Sequence, residues 1–269
     1  MSRWASRKRK KILIIVGVIL LLLFIFTVIH IKNSKKPSCF DGIKNGTETG
    51  VDCGGSCQRV CGKETQNLIV WWERPFKVVN GVYNLVAYVE NQNLEAGLER
   101  LDYEFRVYDK DNILATEPRR GTTFVEANKR FAIFEPSVKT GDREAYTVFF
   151  RILSKQDWKK VNPDFRYKFF QIHAPTLTKV RTAPHLKANV ENTSLYDFSD
   201  VPVTAIIYNH RGNAIAASQT YIDRIQHGET KEVSFSWPES FGNDVARIEI
   251  IPRVNPFTDI KKAPQSTIS

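Results

Sequence analysis

The residues best equipped for chemistry lie in one stretch, CFDGIKNGTETGVDCGGSCQRVC (39–61), which holds all four cysteines of the 269-residue chain. In an oxidising compartment Cys39, Cys53, Cys57 and Cys61 form two disulfides, with three connectivities open. Zinc is the rival reading. Structural zinc sites usually take close cysteine pairs separated by a longer gap, whereas here three cysteines crowd together and one stands apart. The same stretch carries hard oxygen donors: Asp41, Asn45, Glu48 and Asp52 are candidate calcium ligands, and Gly42, Gly46 and Gly50 permit tight turns. Counted as an EF-hand loop from Asp41 the pattern fails, because Ile43 cannot ligate and Asp52 stands where a bidentate glutamate is needed. A series of Gly/Asn/Asp turns closed by disulfides suits the same residue types. The expectation is a stapled segment without a cofactor, with calcium as the candidate ion.

Trp71, Trp72 and Trp158 are the candidate binding residues, since an aromatic beside basic residues such as Lys155, Lys159 and Lys160 can stack on a sugar or anchor a protein partner. On a regular strand Trp71 and Trp72 point to opposite faces, one into the core and one beneath a neighbouring domain or the spacer. Catalytic patterns are missing. His173, His185, His210 and His227 form no H-E-x-x-H or H-x-H pair, and the chain has no Gly-rich phosphate loop and no G-x-S-x-G elbow. The expectation is that the protein is not an enzyme.

The compartment follows from residues 12–31, ILIIVGVILLLLFIFTVIHI, twenty positions with no formal charge apart from the titratable His30. A helix of this length at about 1.5 Å per residue spans the hydrocarbon core of a bilayer. It is apolar all round, unlike an amphipathic core helix, and no small-residue cleavage site follows it. Six basic residues precede it and Lys32, Lys35 and Lys36 follow, so the amino terminus is expected in the cytoplasm and residues 37–269 outside. The formal net charge is +10, but residues 1–36 hold nine basic residues and no acidic one, leaving +1 for the rest. The basicity belongs to the anchor, and no nucleic-acid partner is expected.

Beyond residue 64 short β-branched and aromatic stretches alternate with turns: 68–73, 82–90, 101–109, 130–135, 145–153, 203–209, 232–237 and 246–252. In LDYEFRVYD (101–109), Leu101, Tyr103, Phe105 and Val107 face one way and Asp102, Glu104 and Arg106 the other, as on a sheet with one buried and one wet face. The chain also repeats. Val89, Glu90, Asn91 and Leu94 match Val190, Glu191, Asn192 and Leu195, and Tyr108 matches Tyr208. Two copies about 100 residues apart fit tandem sandwiches rather than a solenoid. The Tyr108–Asp109 and Tyr208–Asn209 pairs should end a strand, with the Asx side chain capping the turn. HAPTLTKVRTAP (173–184) is the expected join.

Two resemblances add to this reading. Cys39, Asp41, Gly42, Asn45, Gly46, Glu48, Thr49, Gly50, Asp52, Cys53, Gly54, Gly55 and Cys57 match a short cysteine motif of extracellular, often bacterial, surface proteins. Phe105, Val107, Tyr108 and Asp109, preceded by V-x-N, resemble the bacterial FxLYD and CARDB-like group of immunoglobulin-like domains; the second copy keeps Tyr208 but has Ala205 and Asn209 at the flanking positions. This second resemblance implies a surface adhesion or interaction module. The expected fold is all-β: two tandem immunoglobulin-like sandwiches (64–172 and 174–257) after a cytoplasmic basic tail (1–11), a transmembrane helix (12–31) and a Cys-rich spacer (37–62), with a flexible tail at 258–269. The expected function is non-catalytic binding or adhesion to an envelope protein or glycan. The alternative is a structural accessory of a surface assembly such as a pilus or secretion apparatus.

Overall fold

Alternation of apolar and polar residues governs the chain after Leu68, and strands follow from it. The computed structural model describes residues 3–33, 36–242 and 244–258. They divide into two units between Cys57 and Gln58.

In the first unit, helix α1 runs from Arg3 to Asn33. The side chains described within it, Leu13 to Val28, are all exposed. Among the described residues no helix is long and apolar enough to cross a membrane. Both ends of the expected span 12–31 lie outside those described side chains. Past α1 the chain turns on itself from Cys39 to Cys57, and these two cysteines are bonded to one another with Cα atoms 5.6 Å apart. Cys53 and Cys61 are disulfide-bonded as well, and among the described residues no cysteine is free. The connectivity that spacing left open thus begins with first to third. Gly55 shows why glycine is needed: at φ 54° a Cβ would sit 1.8 Å from the Thr47 carbonyl oxygen.

The second unit holds thirteen strands among the described residues: β1 (Ile69–Val79), β2 (Val82–Asn91), β3 (Ala96–Tyr108), β4 (Arg119–Val125), β5 (Lys129–Lys139), β6 (Thr147–Ile152), β7 (Lys159–Lys160), β8 (Phe170–Thr178), β9 (His185–Asn192), β10 (Phe198–Tyr208), β11 (Ala214–Ile225), β12 (Thr230–Ser236) and β13 (Arg247–Pro252). Sheets β1-β2-β5 and β4-β3-β6 enclose one core, in which Leu85, Phe105, Phe131 and Val148 meet. Sheets β12-β9-β8 and β11-β10-β13 enclose another, around Leu186, Val203, Ile207 and Phe235. Apart from the two-residue β7, which pairs with β3 and has no counterpart, the strand orders correspond one for one, so the sequence repeat is a repeat of topology.

The letters that recur in the two copies have one local cause. Asn91 is buried and donates through Nδ2 to the carbonyls of Ala96 (2.8 Å) and Glu126 (2.7 Å), while its Oδ1 accepts from the Asn93 amide. Asn192 does the same with Tyr196 (2.7 Å), Gln226 (3.0 Å) and the Ser194 amide. Each asparagine ties a strand end to two loops that would otherwise bury unpaired carbonyls. The Asx turns also occur as expected: Asp109 Oδ1 accepts from Asp111 and Ile113 amides, and Asn209 Oδ1 from Arg211 and Asn213.

A third core joins the copies. The outward residues Phe76, Val86, Tyr88 and Ala132 of sheet β1-β2-β5 pack with Ile206, Tyr208, Ala214 and Ala217 of sheet β11-β10-β13. β2 and β10 are therefore buried on both faces over much of their length. Arg253 locks the junction: its Nε donates to Glu126 Oε2 (3.1 Å), its Nη2 to the Phe124 carbonyl (2.6 Å), and its guanidinium lies between the Phe124 and Phe131 rings. Burial pulls the Arg253 pKa down, and the Glu126 carboxylate opposes that shift.

Three expectations need adjustment. The join at 173–184 is partly β8, an edge strand that starts at Phe170 and absorbs Pro175 in an irregularity between His173 and Thr176. Gln58–Cys61, placed in the spacer, belongs to the second unit, where the Val60 amide donates to the Trp158 carbonyl and Arg59 pairs with Asp157. The tail from Thr258 onward lies almost wholly outside the described residues.

Candidate binding groove

The candidate calcium ligands come first, because their oxygens can be followed one by one. Both Asp52 carboxylate oxygens accept from the Gly42 amide, and Oδ1 also from Asp41. Asp41 takes the Asn45 side-chain amide and then the Ile43 amide, and these, in that order, hold its pKa below the usual carboxylate range. Glu48 Oε2 accepts from the Asn45 and Asp52 amides. Asn45 Oδ1 is buried without a hydrogen-bond partner. The cluster with metal-like geometry among the described residues is Cys39, Glu48 and Cys57, and its two sulfurs are already bonded to each other. In the arrangement present these side chains hold turns through backbone amides.

Trp158 is 4% exposed and lies in the first core, out of reach of a ligand. Trp71 and Trp72 behave differently from a regular strand. The β1–β2 register pairs Val70 with Val89 and Trp72 with Tyr88, leaving Trp71 as the extra residue of a bulge. Alternation is broken there, so both indoles line a single groove where the two sandwiches meet. No residue pattern in β1 announces a bulge, which is why the sequence pointed them to opposite faces.

The groove has a volume of about 1230 Å³ and is walled by β1, Tyr88 of β2, the starts of β5 and β8, the end of β10 and most of β13. Trp72 stacks on Tyr88, centroids 5.3 Å apart and planes within 7°. Trp71 is 53% exposed; its indole N–H donates to Glu90 Oε2 (2.9 Å) and Arg130 lies 4.8 Å over its ring. Arg247 lies 3.7 Å over Tyr208, and Lys129 lies 5.4 Å over Phe169. Rings capped by cations are mutually attractive, and here they also fix the cations in place.

Glu249 is the buried-side anchor. Its Oε1 accepts from Tyr88 Oη (2.7 Å); its Oε2 accepts from Tyr208 Oη (2.9 Å) and Arg247 Nη1 (3.0 Å). Burial, then Glu249, pushes both tyrosine hydroxyls well above the usual range. Burial works against ionisation of Glu90, yet the Trp71 N–H and Arg130 hold its pKa low. With three donors on it Glu249 is positioned as a brace rather than as a base. Lys168 is exposed on the rim and makes no ion pair among the described residues. The assembly offers flat rings and fixed positive charge, which is a binding chemistry.

No protein family matches the sequence. No curated protein matches it either. Among solved structures the chain is similar to red sea bream transglutaminase at 9% identity, covering 71% of this chain and 30% of that one, with a TM-score of 0.22. It is similar to the calcium-binding domain CBD12 of CALX1.1 at 14% identity over 65% of this chain and 76% of that one, TM-score 0.21. A β-glucuronidase of glycoside hydrolase family 2 matches at 7% identity over 81% of this chain and 29% of that one, TM-score 0.22.

Proposed function

We propose that the chain is a single-pass, membrane-anchored extracytoplasmic protein that binds without catalysis. In this reading α1 spans the bilayer, the disulfide-stapled segment is a spacer held by turns rather than by calcium, and two tandem immunoglobulin-like sandwiches of the FxLYD/CARDB-like kind present the groove to an envelope partner or glycan. The anchor is supported by the uncharged residues 12–31 and by the all-round exposure of Leu13 to Val28. One observation carries the binding reading: a bulge in β1 gathers Trp71 and Trp72 in one groove beside Arg130 and Arg247. The test is crosslinking in native membranes from a photoreactive residue at position 71, with position 224 on another surface as control. Capture of one envelope component from position 71 alone supports the reading, and equal or no capture at both positions contradicts it.

A second reading, a scaffold subunit of a surface assembly, has its own support in the shared core and the Arg253 lock, which make a stiff spacer. It predicts that the full chain is recovered only within a large complex, and that Trp71→Ala leaves that recovery unchanged.

A further inference from the structure

The groove has a charge as well as a shape. Lys129, Arg130, Lys168 and Arg247 line it, and Glu249 is the acidic residue among its walls. Glu249 is consumed by Tyr88, Tyr208 and Arg247, and Arg130 is balanced by Glu90. Lys129 in turn reaches Glu126, whose other partner is Arg253. Lys168, without an ion-pair partner among the described residues, remains to meet an incoming anion, and Arg247, exposed although paired with Glu249 at 3.0 Å, lines the same groove.

Beside these cations stands one exposed ring, Trp71, while Tyr88, Phe169 and Tyr208 are buried. Trp71 is half-exposed, and its N–H bond to Glu90 and the Arg130 guanidinium over its ring hold its plane. Pre-fixed rings lose little conformational entropy on binding. The C–H faces of a pyranose pack on such planes, and its carboxylate or phosphate suits guanidinium and ammonium donors.

We infer that the groove takes an anionic saccharide, a sugar chain bearing carboxylate or phosphate, seated on Trp71 and held by Lys168 and Arg247. The inference rests on the groove being the binding site proposed above.

The experiment is calorimetric titration of the full chain in uncharged detergent micelles with hexagalacturonate, a phosphorylated mannan oligosaccharide, neutral maltohexaose and an oligoglutamate. Binding of either anionic saccharide is expected, with the neutral sugar and oligoglutamate at least about tenfold weaker. Trp71→Ala should weaken it about tenfold and Lys168→Gln severalfold, the latter with an unchanged melting temperature. Preference between carboxylate and phosphate chains then identifies the source. If oligoglutamate or maltohexaose binds as well as the anionic saccharides and still loses affinity in Trp71→Ala, the ligand class is wrong and the groove reading survives. If no probe binds, the inference is overturned; if position 71 also captures nothing in membranes, so is the groove reading.

Discussion

β3 and β10 occupy the same place in the two copies, yet their outward faces differ. In β3 the outward residues are Glu104 and Arg106; at the matching positions β10 has Thr204 and Ile206. Glu104 is out of solvent, but its cover is charged: Arg106 (2.7 Å), Arg120 (2.9 Å) and Arg151 (3.1 Å) surround the carboxylate. Arg120 and Arg106 hold its pKa low. Ile206 is equally out of solvent, buried against the other copy. The partner side shows the same contrast, since Val86 and Tyr88 on β2 correspond to Lys187 and Asn189 on β9. One repeat therefore supplies an apolar face where the copies meet and charged faces at the two ends. An internal contact of one sheet type on the other is heterologous and could continue into a filament. Charge at the end faces stops the stack at two, as polar caps do in repeat proteins.

The contrast can be broken most severely from its apolar side. Ile206→Arg would bury an unpaired charge in the shared core and is expected to cost about 3–5 kcal/mol, read by denaturant unfolding. A tolerated substitution would mean that the faces separate easily. The matched pair Asn91→Ala and Asn192→Ala should each cost about 1–3 kcal/mol, because each strands two buried carbonyls. Unequal losses would show that the repeat is topological but not energetic.

Alkaline pH offers a milder probe of the same seam. Tyr88 and Tyr208 have folded-state pKa values raised above the unfolded tyrosine value of 10.0. Above that value the unfolded chain gives up these protons first. Their contribution to stability is thus complete below pH 10 and is lost as pH climbs beyond it. Ultraviolet titration should show these tyrosines ionising late, and Tyr88→Phe with Tyr208→Phe should flatten the alkaline loss. The smallest effect is expected from Arg106→Ile, which leaves Arg120 and Arg151 on Glu104. Stability should hardly move, while sedimentation should reveal weak self-association through the newly apolar end face.

Much of this architecture was legible. The alternation in LDYEFRVYD set which residues of β3 enter the core, and the V-E-N repeat marked two buried asparagines with identical duties. The near-continuous apolar runs in VYNLVAYVE and VTAIIYN were signs of strands buried on both faces. Their partner could not be named from them, because a run records burial and not what covers it. β11 went unread since Ala214, Ala216 and Ala217 have little strand propensity; small residues there let two sheets approach. The groove was half visible. Its tryptophans were singled out, but their shared direction depends on one bulged residue, and Arg247 and Glu249 come from the far end of the chain.

The third core makes the two sandwiches one body and so sets the groove at their seam. Native-state hydrogen exchange across β2 and β10, in the full chain under mild denaturant, tests it most directly. Amides of both strands should open together with one free energy, and Ile206→Arg should lower both. Independent opening of the two strands, with β2 unaffected by Ile206→Arg, would contradict it.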